Sequence, residues 1–425
     1  MFSYSNFGDK FSQDSGINIL MQDLDQALNA KNSDDILFLG GGNPATIKPV
    51  QEIYYQEMLK LLNNKNQWQS IFGIYDSPQG NENFREIAAN YYSKKFSKRI
   101  TAKNILLTNG SQSSFFVILN FLAGSTSTNK KQKVLIPLVP EYIGYANTVI
   151  ESGVIQSNLP IINKVSNKAK EINRFRYEIN FKAINWSDDW GLALHSRPTN
   201  PTSLMLSPQQ FSLLLNKCQQ NNIPLLLDQA YGSPIPNLAY ANNKLVFNDN
   251  TIISMSFSKA GLPGLRTGII LANEDLIKDL TKSISVMNLA TTSLGPELGS
   301  VLLQDDLFDK ICHNWLKPYY LDRVNKAVQI FNQYFSKLED VYLHECDGAF
   351  FFWLWVDRED FDSEKLYQKL KEKNCFIVPG HYFFYGLSPQ QKENFNHHKQ
   401  CFRINIAQSD EVLEKAIKLI VKNLY

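Results

Sequence analysis

The chain has 425 residues, of which 44% are hydrophobic and 12% aromatic, and this is the composition of a folded protein with sizeable cores rather than of a disordered one. Lysine and arginine number 43 against 41 aspartates and glutamates, so the formal net charge of +2 provides no broad field for nucleic acid or an anionic membrane. Its length favours two domains. We therefore expect no nucleic-acid partner and no membrane association.

Three further features narrow the class of protein. The longest strongly apolar run, residues 349–356, is far shorter than a membrane helix requires. The first ten residues are polar and lack the basic-then-apolar order of a signal peptide, which favours a cytoplasmic protein. The five cysteines are scattered without a Cys-x-x-Cys pair, so we expect neither a disulfide framework nor a metal site.

The N-terminal region is polar and irregular, with one amphipathic helix predicted over residues 19–28. We expect it to form an arm that packs on another part of the molecule. A short strand predicted at 36–39 runs into three glycines, at positions 40–42. Glycines let the backbone approach a ligand closely and turn its amides toward an anion, although taken alone this pattern is more typical of an ordinary turn.

Short apolar strands alternate with amphipathic helices from about residue 105 to residue 275, which predicts a mostly parallel sheet covered on both faces. Residues 153–187 are polar and uneven and are interpreted as a crossing between two strands. Strands are predicted at 105–107, 134–138, 192–195, 225–227, 252–253 and 268–271.

The carboxyl ends of these strands are the expected ligand site. Gly110, Tyr142, Asn200, Asp228 and Lys259 each stand just past a predicted strand end. Ligands of open parallel sheets bind along that rim. The five residues are therefore predicted to face one site.

Several residues on the predicted rim are candidates for binding a ligand or for catalysis. Gly110, Ser111 and Gln112 precede a helix, an arrangement that binds phosphate, although a plain capped helix would show the same residues. Asp228 stands at the end of a wholly apolar strand, where burial of a carboxylate costs free energy unless a cation lies beside it. The alternative is that Asp228 lies in a turn on the surface. His195 has no paired ligand in the sequence and is interpreted as structural.

Lys259 lies between two apolar runs, where a buried charge needs a partner or a task. Burial and a nearby cation lower the pKa of an amine, which leaves it able to form a Schiff base with an aldehyde. Ser256, Ser258 and Arg266 would supply donors to a phosphate beside it. The alternative is a solvated lysine in a glycine-rich turn.

From about residue 310 the pattern changes to that of an α+β unit with an antiparallel or mixed sheet. Helices are predicted over 317–338, 363–373 and from 410, and strands over 349–356, 376–379 and 402–406. Arg403 stands inside the last of these apolar strands. A guanidinium there binds either a substrate carboxylate or a structural partner.

The lysine segment, residues 256–266 (SFSKAGLPGLR), resembles that of the fold-type I pyridoxal-phosphate-dependent aminotransferases of class I and II, and the resemblance covers the whole chain. It implies an α/β fold with a large domain, built on a mostly parallel seven-stranded sheet with helices on both faces, and a smaller α+β domain. The resemblance implies three segments: an arm that joins the small domain at residues 1–45, the large domain at 46–310 and the small domain at 311–425. Further matching segments are 7–11 (FGDKF), 39–45 (LGGGNPA), 107–113 (LTNGSQS), 140–145 (PEYIGY), 196–202 (SRPTNPT) and 378–381 (VPGH).

The resemblance implies pyridoxal 5′-phosphate as the cofactor and assigns roles at its ring. Lys259 would bind the cofactor and move the substrate proton, and Asp228 would keep the pyridine nitrogen protonated. Asn200 and Tyr231 would contact the ring's phenolic oxygen, and Tyr142 would stack on the ring.

The resemblance also assigns residues to the cofactor phosphate and to the substrate. Gly42, Asn200 and Arg403 would hold the substrate, with Arg403 on its carboxylate. Tyr75 would reach the phosphate from the second subunit of a homodimer. The remaining phosphate ligands would be Gly110, Ser111, Gln112, Ser256, Ser258 and Arg266.

The expected activity is ping-pong transfer of the amino group of L-valine, or a similar aliphatic amino acid, to pyruvate. Two alternatives remain open: a carbon–sulfur lyase of the same fold, and a non-catalytic regulator that binds the cofactor. No helix-turn-helix unit or basic extension is present in the sequence for the regulator. The sequence departs from the family at Ser203, where glycine is usual, so we expect that loop to differ in shape.

Overall fold

Two β-sheets, joined by long helices, organise the chain. The structure is a computed structural model, and it describes residues 2–29, 36–165, 170–186, 189–241 and 244–425. The strands are β1 Leu37–Phe38, β2 Ile105–Thr108, β3 Gly124–Ser125, β4 Lys131–Ile136, β5 Ile155–Ser157, β6 Pro160–Val165, β7 Asn173–Ile179, β8 Trp190–Ser196, β9 Leu225–Asp228, β10 Thr251–Ser256, β11 Gly268–Leu271, β12 Val341–His344, β13 Phe351–Val356, β14 Cys375–Phe376, β15 Val378–Pro379 and β16 Cys401–Asn405.

Helices occupy most of the remaining chain, and none in the described ranges combines the length and apolarity needed to cross a membrane. Their bounds are α1 Asn6–Phe11, α2 Gly16–Asn29, α3 Lys48–Asn63, α4 Lys65–Phe72, α5 Glu82–Phe96, α6 Ser111–Leu122, α7 Pro208–Gln220, α8 Glu274–Asn288, α9 Leu294–Leu303, α10 Leu307–Ile311, α11 Lys317–Phe335, α12 Ser363–Lys371, α13 Pro389–Glu393, α14 His397–Gln400 and α15 Asp410–Asn423.

The large sheet has the order β2-β11-β10-β9-β8-β4, and β5 and β3 pair with different parts of β4. β11 is antiparallel to both of its neighbours, whereas the contacts from β10 through β9 and β8 to β4 and β5 are parallel. The expected mostly parallel sheet of seven strands is confirmed, and β3 is an additional two-residue strand.

Burial along the large sheet shows why its strands have uninterrupted apolar sequences. Every residue of β2, β8, β9, β10 and β11 is buried. Since successive side chains of a strand point to opposite faces, full burial requires cover on both faces. α7 begins as its sequence predicts, because the Ser207 side chain accepts from the Gln210 amide and Pro208 fills the first helical position.

The second sheet has the order β15-β16-β13-β12-β7-β6. Its strands β6 and β7 come from residues 160–179, within the segment interpreted as a crossing. The crossing therefore carries two antiparallel strands, β6 and β7, and β7 pairs with β12 about 170 residues later in the chain. β7 buries Phe175, Tyr177 and Ile179 in alternation, a pattern that the polar residues between them obscured.

The N-terminal region contacts the C-terminal third of the chain. β1 pairs in parallel with β14, and Asp23 of α2 accepts a hydrogen bond from Lys371 Nζ at 2.8 Å. We propose on this basis that residues 1–45 form an arm associated with a small domain, 311–425, beside a large domain, 46–310. The β6–β7 hairpin would then be the part of the large-domain segment that extends the small domain's sheet.

Candidate active site

Lys259 lies in a 3₁₀ turn, residues 258–260, directly after β10. Its Nζ donates a hydrogen bond to the Gly42 carbonyl at 2.7 Å. Burial, with the positive charges of Arg403 and Arg266, lowers the pKa of Lys259 to about 8. The amine is therefore unprotonated in a substantial fraction of molecules near neutral pH, as a nucleophile requires.

Helix α3 fixes the turn that carries Lys259. The hydroxyl of Tyr54 donates to the Ala260 carbonyl at 3.0 Å, and Gln51 Nε2 donates to the Gly261 carbonyl at 3.1 Å. Gly261 has φ +104°, a conformation that side chains disfavour. The lysine therefore stands on a rigid support, and its amine has a defined position.

Asp228 ends β9 and is buried beside the lysine. Tyr145 donates its hydroxyl to Asp228 Oδ2 at 2.5 Å, and the Ala230 amide donates to Oδ1 at 2.8 Å. Burial and the charge of Glu141 raise the pKa of Asp228 to about 6, against the lowering effect of these hydrogen bonds and of Lys259. The carboxylate is thus ionised at neutral pH and binds a proton-bearing group strongly.

Two tyrosines stand near the lysine and the aspartate. Tyr142 is half-buried, and its ring lies edge-on to that of Tyr145, with the ring centres 5.2 Å apart. Burial and Asp228 raise the pKa of Tyr142 to about 12. The centre of the Tyr231 ring lies 5.7 Å from Lys259 Nζ. Burial raises the pKa of Tyr231 as well, so both phenols keep their protons.

Arg403 enters the site from β16 of the second sheet. Its Nη1 donates to Asn200 Oδ1 at 2.8 Å, and its Nη2 donates to the Gly40 carbonyl. The guanidinium stacks on Phe351, 4.3 Å from the ring centre. Burial lowers its pKa to about 10, so it remains charged. Its buried Nε has no hydrogen-bond partner within the described part of the chain.

The three glycines contact the site through their carbonyls. Gly40 accepts from Arg403, Gly41 accepts from Asn405 Nδ2 at 2.9 Å, and Gly42 accepts from Lys259. We had interpreted these glycines as turning their amides toward an anion. The structure instead directs the carbonyl oxygens at cations and an amide group, and the role of Gly42 at a substrate carboxylate stays a prediction.

The start of α6 forms a cradle. Gly110 caps the helix with φ +91°, and a Cβ at this position would collide with the Arg266 guanidinium. The buried Oγ of Ser111 has no hydrogen-bond partner among the described residues. Helix amides, a serine hydroxyl and an arginine thus converge where an anion would bind.

The other predicted phosphate ligands differ in what they contact. Ser256 is buried at the end of β10, and its Oγ accepts from the Ser258 amide at 3.4 Å. Gln112 Nε2 donates to the Gly144 carbonyl at 3.0 Å, so its amide binds the segment that carries Tyr142. Tyr75 is 83% exposed, so its side chain faces away from the interior in the described part of the chain.

Two further sequence interpretations concern buried residues of the same rim. Ser203 adopts φ +60°, the region that glycine favours, and its Oγ donates to the Phe351 carbonyl at 2.8 Å. The loop therefore keeps a glycine-like backbone, and a hydrogen bond offsets part of the strain. His195 is fully buried with Nδ1 3.0 Å from Glu141 Oε1, a structural environment.

Sequence reasoning missed the groups that position Asp228 and Arg403. Tyr145 and Glu141 appear in the sequence only as members of the matching segment 140–145, and Asn405 only as a residue of a predicted strand. The signal for Tyr145 was its spacing of three residues from Tyr142 on a loop after a strand. Nothing in the sequence around Glu141 indicates that its carboxylate is buried.

These groups would be used together by one kind of ligand. An aldehyde matches the amine of Lys259, a protonated aromatic nitrogen matches Asp228, and a phosphate matches the cradle at Gly110. A parallel sheet that presents all three at its carboxyl edge, with a second sheet supplying an arginine, defines a fold-type I pyridoxal-phosphate enzyme.

Comparison with known proteins gives the family. The sequence profile described as aminotransferase class I and II matches residues 56–420. The chain is 34% identical to valine–pyruvate aminotransferase of Escherichia coli K12, over 99% of this chain and 98% of the relative. The crystal structure of valine–pyruvate aminotransferase from Salmonella typhimurium LT2 superposes with a TM-score of 0.84 at 34% identity, covering 96% of this chain and 98% of that one. The chain belongs to the aminotransferase class I and II family and is a pyridoxal-phosphate-dependent transaminase.

A more distant relative shows how widely the fold is shared. An aspartate aminotransferase from Sulfolobus acidocaldarius is 22% identical over 86% of each chain. At this distance the likeness extends to the fold and says nothing of the substrate.

The residues present fit pyridoxal phosphate. The Ser111 Oγ, which has no hydrogen-bond partner among the described residues, and the close approach of Arg266 to Gly110 provide an anion cradle. Asp228 is a buried carboxylate whose nearest bonded partners are a hydroxyl and an amide, which leaves its charge available to a cation.

Proposed function

We propose that this transaminase moves the amino group of L-valine, or of a similar aliphatic amino acid, to pyruvate, giving 3-methyl-2-oxobutanoate and L-alanine by a ping-pong mechanism. The observation that carries the proposal is full-length similarity, at 34% identity, to a relative named valine–pyruvate aminotransferase. Specificity among aliphatic side chains rests on pocket contacts worth about 1–3 kcal/mol per methylene, so the exact donor is the part that most needs measurement.

When bound, the cofactor supplies an aldehyde that takes up the amino group and a ring that accepts the electron pair left at the substrate Cα. Lys259 Nζ removes the proton from Cα, and its pKa of about 8 suits a base near neutral pH. Asp228 would hold the proton of the ring nitrogen, Asn200 and Tyr231 would donate to the phenolic oxygen, and Tyr142 would stack on the ring.

The substrate and the phosphate would be held by separate residues. Arg403 binds the α-carboxylate through two nitrogens and fixes the direction of the Cα–H bond, assisted by Asn200 and the backbone at Gly42. The phosphate would be held at the start of α6. The residues that would bind it are Gly110, Ser111, Gln112, Ser256, Ser258 and Arg266.

We also propose a homodimer in which Tyr75 completes the phosphate site of the neighbouring subunit. Its ring is 83% exposed, and Trp68, Phe72 and Ile74 just before it are each more than half exposed. Such a concentration of exposed apolar side chains marks an interaction surface. Light scattering should give a dimer, and mixing Lys259→Ala with a Tyr75→Ala variant should restore activity in hybrid dimers. A monomer with full activity would contradict the shared site.

The substrate proposal is tested by absorbance of the purified protein with its cofactor. L-valine alone should abolish the yellow band, and pyruvate should then restore it with release of L-alanine. Borohydride should fix the cofactor in the wild-type protein and not in Lys259→Ala. Loss of the band with L-aspartate but not with L-valine would reject the aliphatic assignment.

The same experiment separates the alternatives. Release of pyruvate from a β-substituted amino acid without any acceptor would identify a carbon–sulfur lyase. A band that no amino acid changes would indicate a binding protein without catalysis.

A further inference from the structure

Glu141 is a fully buried carboxylate to which the reaction described above assigns no task. Its Oε1 accepts from the Ser196 amide at 2.9 Å, and its Oε2 accepts from Ser196 Oγ at 2.6 Å and from the Tyr142 amide at 3.2 Å. His195 Nδ1 lies 3.0 Å from Oε1. The carboxylate thus joins the end of β8 to the loop that carries Tyr142.

The end of β8 is adjacent to Asp228. Ser196 is the register partner of Asp228 in the parallel pair of β8 and β9, and the Arg197 amide donates to the Asp228 carbonyl at 2.8 Å. Four residues after Glu141, Tyr145 donates its hydroxyl to Asp228 Oδ2. Glu141 is therefore connected to Asp228 by two routes, through the strand pair and through its own loop.

Glu141 and Asp228 form a pair of buried carboxylates. The titratable groups that face them in the described part of the chain are Tyr142 and Tyr145 on the loop, His195 on β8, Tyr231 after β9, Tyr385 from the loop after β15, and Lys259 after β10. Of these, Lys259 opposes the negative charge, and the tyrosines are held neutral by burial and by the carboxylates. A proton placed next to Asp228 is thus attracted by two carboxylates.

We propose that Glu141 is a positioning residue for the cofactor ring: its buried carboxylate fastens the Tyr142 loop to the end of β8 beside Asp228, and its negative charge helps to keep the proton on the ring nitrogen that Asp228 binds. The proposal rests on the assigned role of Asp228. A second negative charge near a proton strengthens its binding even without direct contact. Glu141 does not touch the reacting atoms and acts through its neighbours.

A glutamine at this position separates charge from shape. It keeps the length of the side chain and an oxygen that accepts from the Ser196 amide, and its NH₂ group can donate to Ser196 Oγ but cannot accept from the Tyr142 amide. A purely structural role would survive this change, apart from the loss of that one 3.2 Å hydrogen bond. An electrostatic role would be lost, because glutamine carries no charge.

The test is the ¹⁵N NMR shift of ring-labelled pyridoxal phosphate bound to the protein, followed against pH. In wild type the nitrogen should be protonated at neutral pH. In Glu141→Gln the midpoint at which it loses its proton should fall by about one pH unit. Glu151→Gln, which removes an exposed carboxylate elsewhere in the chain, should leave the midpoint unchanged.

Each result decides the proposal. An unchanged midpoint in a folded Glu141→Gln protein would overturn it. If that variant does not fold, Ser196→Ala decides, because it removes a hydroxyl that holds the Glu141 carboxylate at the end of β8 and should lower the midpoint by about half a unit; no change there would also overturn the proposal. A wild-type nitrogen that is never protonated would instead reject the role of Asp228 itself.

Discussion

Lys259, which is partly buried, and Arg403, which is fully buried, are two cations that face one site from different sheets. The lysine follows a strand of the large sheet, donates a hydrogen bond to Gly42, and has its pKa lowered to about 8. The arginine lies within β16 of the second sheet, donates to Gly40 and Asn200, and stacks on Phe351. Its pKa also falls, but from a higher ordinary value, and reaches only about 10.

The difference shows how one environment produces a reactive group and a binding group. An amine responds to desolvation by losing its proton, which frees a lone pair. A guanidinium keeps its charge and satisfies it with carbonyl oxygens and an aromatic face. The site therefore needs a lysine at 259 and an arginine at 403, and substitutions at the two positions should lower the rate of amino transfer to different extents.

The largest effect is expected from removal of the amine. Lys259→Ala should reduce the rate of amino transfer by about 10⁴-fold or more, because no other base is placed to remove the Cα proton. Single-turnover absorbance with L-valine measures it. Lys282→Ala, on an exposed face of α8, is the control and should retain wild-type rates. Less than tenfold loss in Lys259→Ala would remove the lysine from the chemistry.

Arg403→Lys keeps the positive charge and loses the planar pair of donors. We expect kcat/KM to fall by about 100-fold for both the amino acid and the 2-oxo acid, since a charged hydrogen bond contributes about 1.5–3 kcal/mol. The cofactor should still bind with its wild-type spectrum. Steady-state kinetics measures the effect, with the exposed Arg99→Lys as control. Equal kinetics in both variants would mean that the substrate carboxylate binds elsewhere.

The two cations are also coupled through the pKa of Lys259. In cofactor-free protein the rate of pyridoxal phosphate capture should rise with pH through about 8, as the amine loses its proton. Arg403→Met removes a charge that lowers this pKa, so the midpoint should move up and the rate at pH 7.5 should fall by about threefold to tenfold. Stopped-flow absorbance measures both. A midpoint near 10.5 in wild type would show that Lys259 is not perturbed.

The smallest effect concerns the support of Arg403. Ser203→Gly relieves a left-handed backbone and loses the hydrogen bond to Phe351, each worth about 1 kcal/mol. The relief of backbone strain and the loss of the hydrogen bond should nearly cancel in the free energy of unfolding, so the thermal midpoint and the activity should stay close to wild type. Ser203→Val, a branched residue at φ +60°, should lower the thermal midpoint clearly. A large loss in the glycine variant alone would show that the hydroxyl has a further role.

Charged residues in apolar strands were the part of the site that the sequence could predict. Lys259, Asp228 and Arg403 are each conspicuous because burial of a charge demands a reason, and each does lie in the site. The large sheet was predictable for a similar reason, since its strands are short, apolar and separated by amphipathic helices.

The features that the sequence did not predict depend on contacts between residues far apart in the chain. Glu141 looks like a loop residue until the end of β8 folds against it, and the β6–β7 hairpin acquires its place only by pairing with β12. Whether a glycine segment directs its amide groups or its carbonyl groups at the site is likewise set by residues that are close in space and distant in the sequence.

The most direct test of the central claim is to reduce the holoenzyme with borohydride and map the modified peptide by mass spectrometry. We predict that the phosphopyridoxyl group is found on the peptide containing Lys259, and that prior addition of L-valine prevents its attachment. Attachment to another lysine, or to none, would contradict the assignment of Lys259 as the amine that the two sheets prepare for reaction.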